Sequence, residues 1–159
     1  MSMITQYLRL TPAEADQLRR LLAEAPDEAY EFVDRDEDQA RGMDTDKAWA
    51  GLEFLLAKLG PPVNVISGGT AVTDDEWGYD SPRLLGPDEV AEASRFLDGT
   101  PFARLAELYD PAELTAAEVY PMMWDEDWAL EYLGGVHTAL VTFFHDAAAA
   151  SDSVLLWLN

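Results

Sequence analysis

Lys47 is one of only two lysines in the chain, and it sits between Asp46 and Trp49 at the start of a segment with helical spacing. A positive charge in the first turn of a helix opposes the macrodipole, so a carboxylate should compensate it. An ion pair with Asp44 or Asp46 would do so near the surface. The alternative is a functional one. The ammonium would reach into a cleft beside Trp49, Tyr120 and Trp124 and receive an acidic ligand, with carboxylates supplying acid–base or metal-assisted chemistry.

Other chemistry is thinly supported. His137 falls at the border of the apolar stripe of the C-terminal helical segment and His145 on its opposite side, so the two cannot share a metal from that segment. Neither Ser67 nor Ser151 lies in the Gly-flanked turn of a hydrolase nucleophile. Acids alternate from Asp34 to Asp38 as in a calcium loop. However, Gln39 stands where such a loop needs Gly, and Thr45 where it needs the bidentate Glu. The clusters Asp74-Asp75-Glu76 and Asp125-Glu126-Asp127 could hold a divalent ion only through water, and Asp125 suits the cap of the helix it precedes. Gly68-Gly69-Thr70 has no accompanying Lys or P-loop frame and reads as a turn. The sequence therefore assigns no catalytic residue, no metal and no cofactor.

Trp77, Trp124 and Trp128 each adjoin acidic residues rather than smooth apolar runs. Such aromatics either close core edges with their N–H groups bonded, or form the rim of a protein interface that carboxylates steer.

The elements that must position these groups follow from local pattern. Met3–Leu10 reads as a strand. Thr11-Pro12-Ala13-Glu14 is a capping box with Pro at N1, opening a helix to about Ala23 with Leu18, Leu21 and Leu22 inward. The stretch 34–46 reads as an acidic loop. A helix from the Asp44-Thr45-Asp46 cap runs to about Leu59 and is stopped by Gly60-Pro61-Pro62. Val63–Ser67 reads as a short buried strand and Arg83–Leu85 as another. Gly86-Pro87-Asp88-Glu89 opens a helix burying Val90, Ala93, Phe96 and Leu97. Two short helices fill 102–119, and the longest runs from Asp125 to about Ala150 with a soft point at Gly134-Gly135. Ser153–Leu158 is apolar enough for a central strand. The sum is an α/β or α+β domain over residues 1–159, with a small mixed sheet of about four strands covered by five or six helices.

Composition sets the outer bounds. The 159 residues carry a formal charge of -21, which repels nucleic acid and anionic membrane surfaces at long range. With 48% hydrophobic residues and five Trp, the acidity is not that of a disordered tail. Zero cysteines exclude disulfides, thiolate nucleophiles and Cys-ligated metals. No signal-like start and no apolar run of about 18 residues point to a cytoplasmic protein.

Met1-x-Met3 leading into Tyr7-Leu8-x-Leu10-Thr11, then Asp46-Lys47-x-Trp49-x-x-Leu52-x-Phe54-Leu55-Leu56, Val119-Tyr120-Pro121 and the terminal Val154-Leu155-Leu156-Trp157 together resemble the YfbM-like family of small bacterial proteins. The resemblance covers essentially the whole chain. It implies a compact bacterial α/β domain of unknown function, supplies no catalytic residues, and directs attention to Asp46, Lys47, Trp49 and Tyr120.

Three function classes compete. A non-enzymatic acidic protein would bind a basic protein partner, in its sharpest form as an immunity or antitoxin-like protein against a cationic nuclease. A small-molecule-binding or metal-assisted enzyme would need a cleft near Lys47, Trp49 and Tyr120. A scaffold subunit would need an exposed apolar patch.

Overall fold

A computed structural model describes residues 2–34 and 41–159. The chain forms strands β1 (Thr5–Leu10), β2 (Gly42–Asp44), β3 (Thr70–Ala71), β4 (Arg83–Leu85) and β5 (Ser153–Leu158). Its helices are α1 (Pro12–Glu24), α2 (Pro26–Asp34), α3 (Trp49–Ala57), α4 (Pro87–Asp98), α5 (Phe102–Leu108), α6 (Pro111–Ala116) and α7 (Ala129–Ala149), with one 3-10 turn at Asp46–Ala48. The strands make a single sheet in the order β2-β1-β5-β4-β3. Every pairing is antiparallel, so the sheet is not mixed.

Alternation across the strands builds two cores. Tyr7 pairs with Leu156 and Leu85 with Val154, and these side chains join the large cluster contributed by α3 to α7. Leu8 pairs with Leu155 and Leu84 lies beside it, and these face Ala15 and Leu18 of α1 and Ala29, Phe32 and Val33 of α2. The sheet is thus covered by helices on both faces. β5 lies at its centre, which its continuous apolar run requires.

The capping box of α1 forms as expected: Thr11 Oγ1 accepts from Glu14 N, and the Glu14 carboxylate accepts from Thr11 N at 3.0 Å. The same carboxylate pairs with Arg41 just before β2, with Nη1–Oε2 at 3.1 Å. The Arg41 guanidinium holds the Glu14 carboxyl down at about 2, against 4.5 ordinarily. A carboxyl whose folded value lies below its unfolded one contributes stability that is complete above pH 4.5 and is lost as pH falls toward 2. Arg41→Met is therefore expected to cost about 1 kcal/mol at neutral pH, after allowance for solvent screening. In urea titrations the gap between the two proteins should close as pH drops through that window.

Several expectations need correction. Val63–Ser67 is not a strand. Asn64 Oδ1 accepts from Ile66 N at 2.9 Å and Ser67 N at 3.0 Å, so a local turn takes the donors that a sheet ladder would use, while Val63, Val65 and Ile66 still enter the core. The longest helix starts at Ala129 rather than Asp125. Turn bonds from Glu126 N to Met123 O and from Ala129 N to Glu126 O occupy the intervening backbone, and Trp128 rather than Asp125 stands at the N-cap. The helix passes unbroken through Gly134-Gly135. A Cβ on Gly134 would lie 3.1 Å from the Phe102 ring, so this glycine admits α5 against α7. Strand and helix counts exceed expectation through α2, β2 and β3. Asp34 ends α2, and the rest of the calcium-like acidic run, 35–40, lies outside the described residues.

His137 lies inside the large core at 3% exposure, with Nε2 unpartnered among the described residues and the ring 5.6 Å from that of Phe102. Burial lowers its pKa below the ordinary 6.5, against a smaller opposing pull from the Thr100 backbone. The unfolded chain therefore binds a proton more readily, and stability should fall as pH drops below 6.5. His137→Leu is expected to remove this slope; unfolding curves of both proteins at pH 7.5 and pH 5.5 would show it as a gap that changes with pH.

Candidate functional site

α3 reads Trp-Ala-Gly-Leu-Glu-Phe-Leu-Leu-Ala, with a single charge in nine residues. Gly51, Leu52, Leu55 and Leu56 face the core. A helix apolar all round normally has both sides covered. Here the outer row, Trp49, Ala50, Glu53, Phe54, Ala57 and Lys58, instead borders an open groove of about 860 Å³. Asn64 and the segment Glu118, Val119 and Tyr120 complete its lining. The small side chains of Ala50 and Ala57, one turn either side of Glu53 and Phe54, leave the space.

Trp49 and Tyr120 are stacked, with ring centroids 5.8 Å apart and planes 29° apart. Both are held by one residue beside β1: Met3 N donates to the Tyr120 hydroxyl at 3.0 Å, and Trp49 Nε1 donates to Met3 O at 2.9 Å. Glu53 Oε2 accepts from Asn64 Nδ2 at 3.0 Å and from the Ser67 hydroxyl, which fixes the carboxylate against the 64–67 turn. Beneath that turn, buried Tyr7 donates its hydroxyl to Val65 O at 2.7 Å, and burial, then the Glu53 charge, push its pKa well up. At the far end Lys58 Nζ pairs with Glu113 at 2.6 Å and lies 5.0 Å from the Phe54 ring centroid.

The residues singled out from sequence separate into three groups. Trp49 and Tyr120 come together in the groove. Trp124 does not line it: it is 1% exposed, donates Nε1–H to Val119 O at 2.7 Å, and packs its ring on Gly51 so closely that a Cβ there would collide with it. It holds the Val119–Tyr120 wall against α3 from below. Asp46 and Lys47 lie outside the groove. Asp46 adopts φ 47 with its N–H on Asp44 Oδ1 at 2.8 Å. Lys47 is exposed, forms no ion pair among the described residues, and donates its backbone N–H to the Tyr132 hydroxyl at 2.9 Å. Burial, together with Asp46 and Asp44, pushes Tyr132 up to about 12 despite that bond. Sequence reading missed Ala50, Glu53, Phe54, Lys58 and Glu118. The available signal was the apolar outer row of a helix whose inner row already sufficed for the core.

Among the described residues no group of three or more His, Asp or Glu is placed to hold a metal ion. No helix among them is long and apolar enough to cross a membrane.

Residues 1–157 match the family model described as a domain of unknown function, DUF1877. The chain belongs to this family. Its fold is similar to that of YfbM from Escherichia coli, a protein of unknown function, with a TM-score of 0.71 over 98% of this chain and 99% of that one at 18% identity. No curated protein matches the chain. The family and the shared fold agree with the sequence resemblance.

Proposed function

We propose that this protein is a non-enzymatic binding protein that seats a basic segment of a partner protein in the groove over α3. One observation carries the reading: an otherwise core-like helix leaves Trp49 and Phe54 at the edge of an open groove whose unneutralised charges, Glu53 and Glu118, are both negative. Lys58, the cation on its lining, is already paired with Glu113. Aromatic surface supplies contact area and carboxylates supply selection for positive charge.

The net charge of -21 supports encounter rather than location. Exposed acids occur on α1 and α2 on one side of the sheet and on α4 to α7 on the other, so no single face owns the charge. The chain's field draws a cation in, and the groove selects where it rests. A cationic nuclease neutralised by such a protein is the sharpest form of this reading.

The test is calorimetric titration with a basic peptide and with an acidic peptide of equal length, at two salt concentrations. Saturable binding of the basic peptide alone, weakened but still present near 0.15 M salt, is expected. Binding that vanishes at that salt would reduce the interaction to diffuse charge and overturn the groove.

A further inference from the structure

We propose that the groove selects arginine over lysine, the guanidinium lying against the Trp49–Tyr120 stack and donating to Glu53. This deepens, and rests on, the reading of the groove as a seat for a basic protein segment. The two ends of the groove differ. At one, Lys58 sits over Phe54 and is neutralised by Glu113, so a further cation gains nothing there. Toward the other, Trp49, stacked with Tyr120, lies one helical turn from Glu53 on the same face of α3, and Glu118 also lines the groove. Ser67 and Asn64 both donate to Glu53 Oε2, which leaves Oε1 with no partner among the described residues. Glu118 likewise carries no ion pair there.

A planar ring wall beside a fixed carboxylate with a free oxygen suits a planar, weakly hydrated cation whose edge carries N–H donors. The guanidinium stacks by its face and bonds by its edge at once. An ammonium is a compact point charge that holds its water more strongly, and in an open groove it keeps that water.

The test compares two peptides of identical length and charge, one bearing arginines and one with every arginine replaced by lysine, titrated into the full chain at 0.15 M salt. The arginine peptide is expected to bind roughly fivefold to tenfold more tightly. Ala57→Leu, at an exposed position, should fill the groove and weaken the arginine peptide until the two are equal, while Glu24→Gln on the opposite side of the sheet should leave the preference intact. Equal affinity of the two peptides for the unaltered chain overturns arginine selection but leaves the basic-segment reading standing. If neither peptide binds the unaltered chain, both readings are overturned.

Discussion

Replacing Trp124 with alanine is expected to lower the unfolding free energy by about 3–5 kcal/mol, the largest effect of any single change considered for this chain. The ring is fully enclosed, its N–H satisfies the Val119 carbonyl, and its own carbonyl accepts the Tyr109 hydroxyl at 2.9 Å. Truncation would leave a cavity against Gly51 and strip the Val119 carbonyl of one of its two hydrogen bonds, the Met122 N–H remaining on it at 3.2 Å. Trp124→Phe keeps most of the volume but loses the donor, so a smaller loss of about 1–2 kcal/mol should separate the two contributions. Because Val119 and Tyr120 form one wall of the groove, the alanine protein should also lose ligand binding under conditions where it is still folded. Urea unfolding combined with a binding assay reads both. A loss below about 1 kcal/mol would mean that the segment 118–124 is not anchored through this ring.

The second large effect concerns charge. Glu53→Gln combined with Glu118→Gln is expected to weaken binding of a basic peptide by roughly tenfold or more. Glu53 should account for most of this, since it is half-buried and fixed, whereas Glu118 is exposed and more strongly screened. Glutamine keeps an acceptor for Ser67 and Asn64, so the 64–67 turn should survive and the loss report charge rather than collapse. Removing Glu24 and Glu28 from the other helical layer changes the net charge equally. That pair should alter affinity only at low salt. Equal losses from the two pairs at 0.15 M salt would show that net charge, and not the groove, governs binding.

The fold was legible where a segment carried its own period or punctuation. The capping box at Thr11–Glu14, the Gly86-Pro87 helix start and the apolar run of β5 each fixed an element locally. α2 was missed although Pro26, the acids Asp27 and Glu28, and Ala29, Phe32 and Val33 at helical spacing gave the signal. β2 and β3 span three and two residues, too short to show alternation, and exist because β1 and β4 offer them edges to pair with. Val63–Ser67 misled because burial of its β-branched residues does not require sheet pairing, and the Asn64 side chain supplies the alternative bonds.

The candidate groove was legible only in part. Trp49 and Tyr120 were singled out before any geometry, and they do meet. Lys47 drew attention because its charge seemed to need an explanation. Its helix does not begin there: a 3-10 turn intervenes, and the Lys47 side chain projects into solvent. Phe54 entered only through the family motif, and Glu53 and Ala57 carried no signal of their own, since nothing in a single sequence shows that this side of α3 is left open among the described residues.

The most direct test of the groove is an NMR titration of the five indole N–H signals with an arginine-bearing peptide. The Trp49 signal is expected to shift saturably, while Trp77 and Trp157, which pack together in the α1–α2 core, stay in place. Shifts spread over all five indoles, or a Trp49 signal unmoved at peptide saturation, would contradict the groove reading.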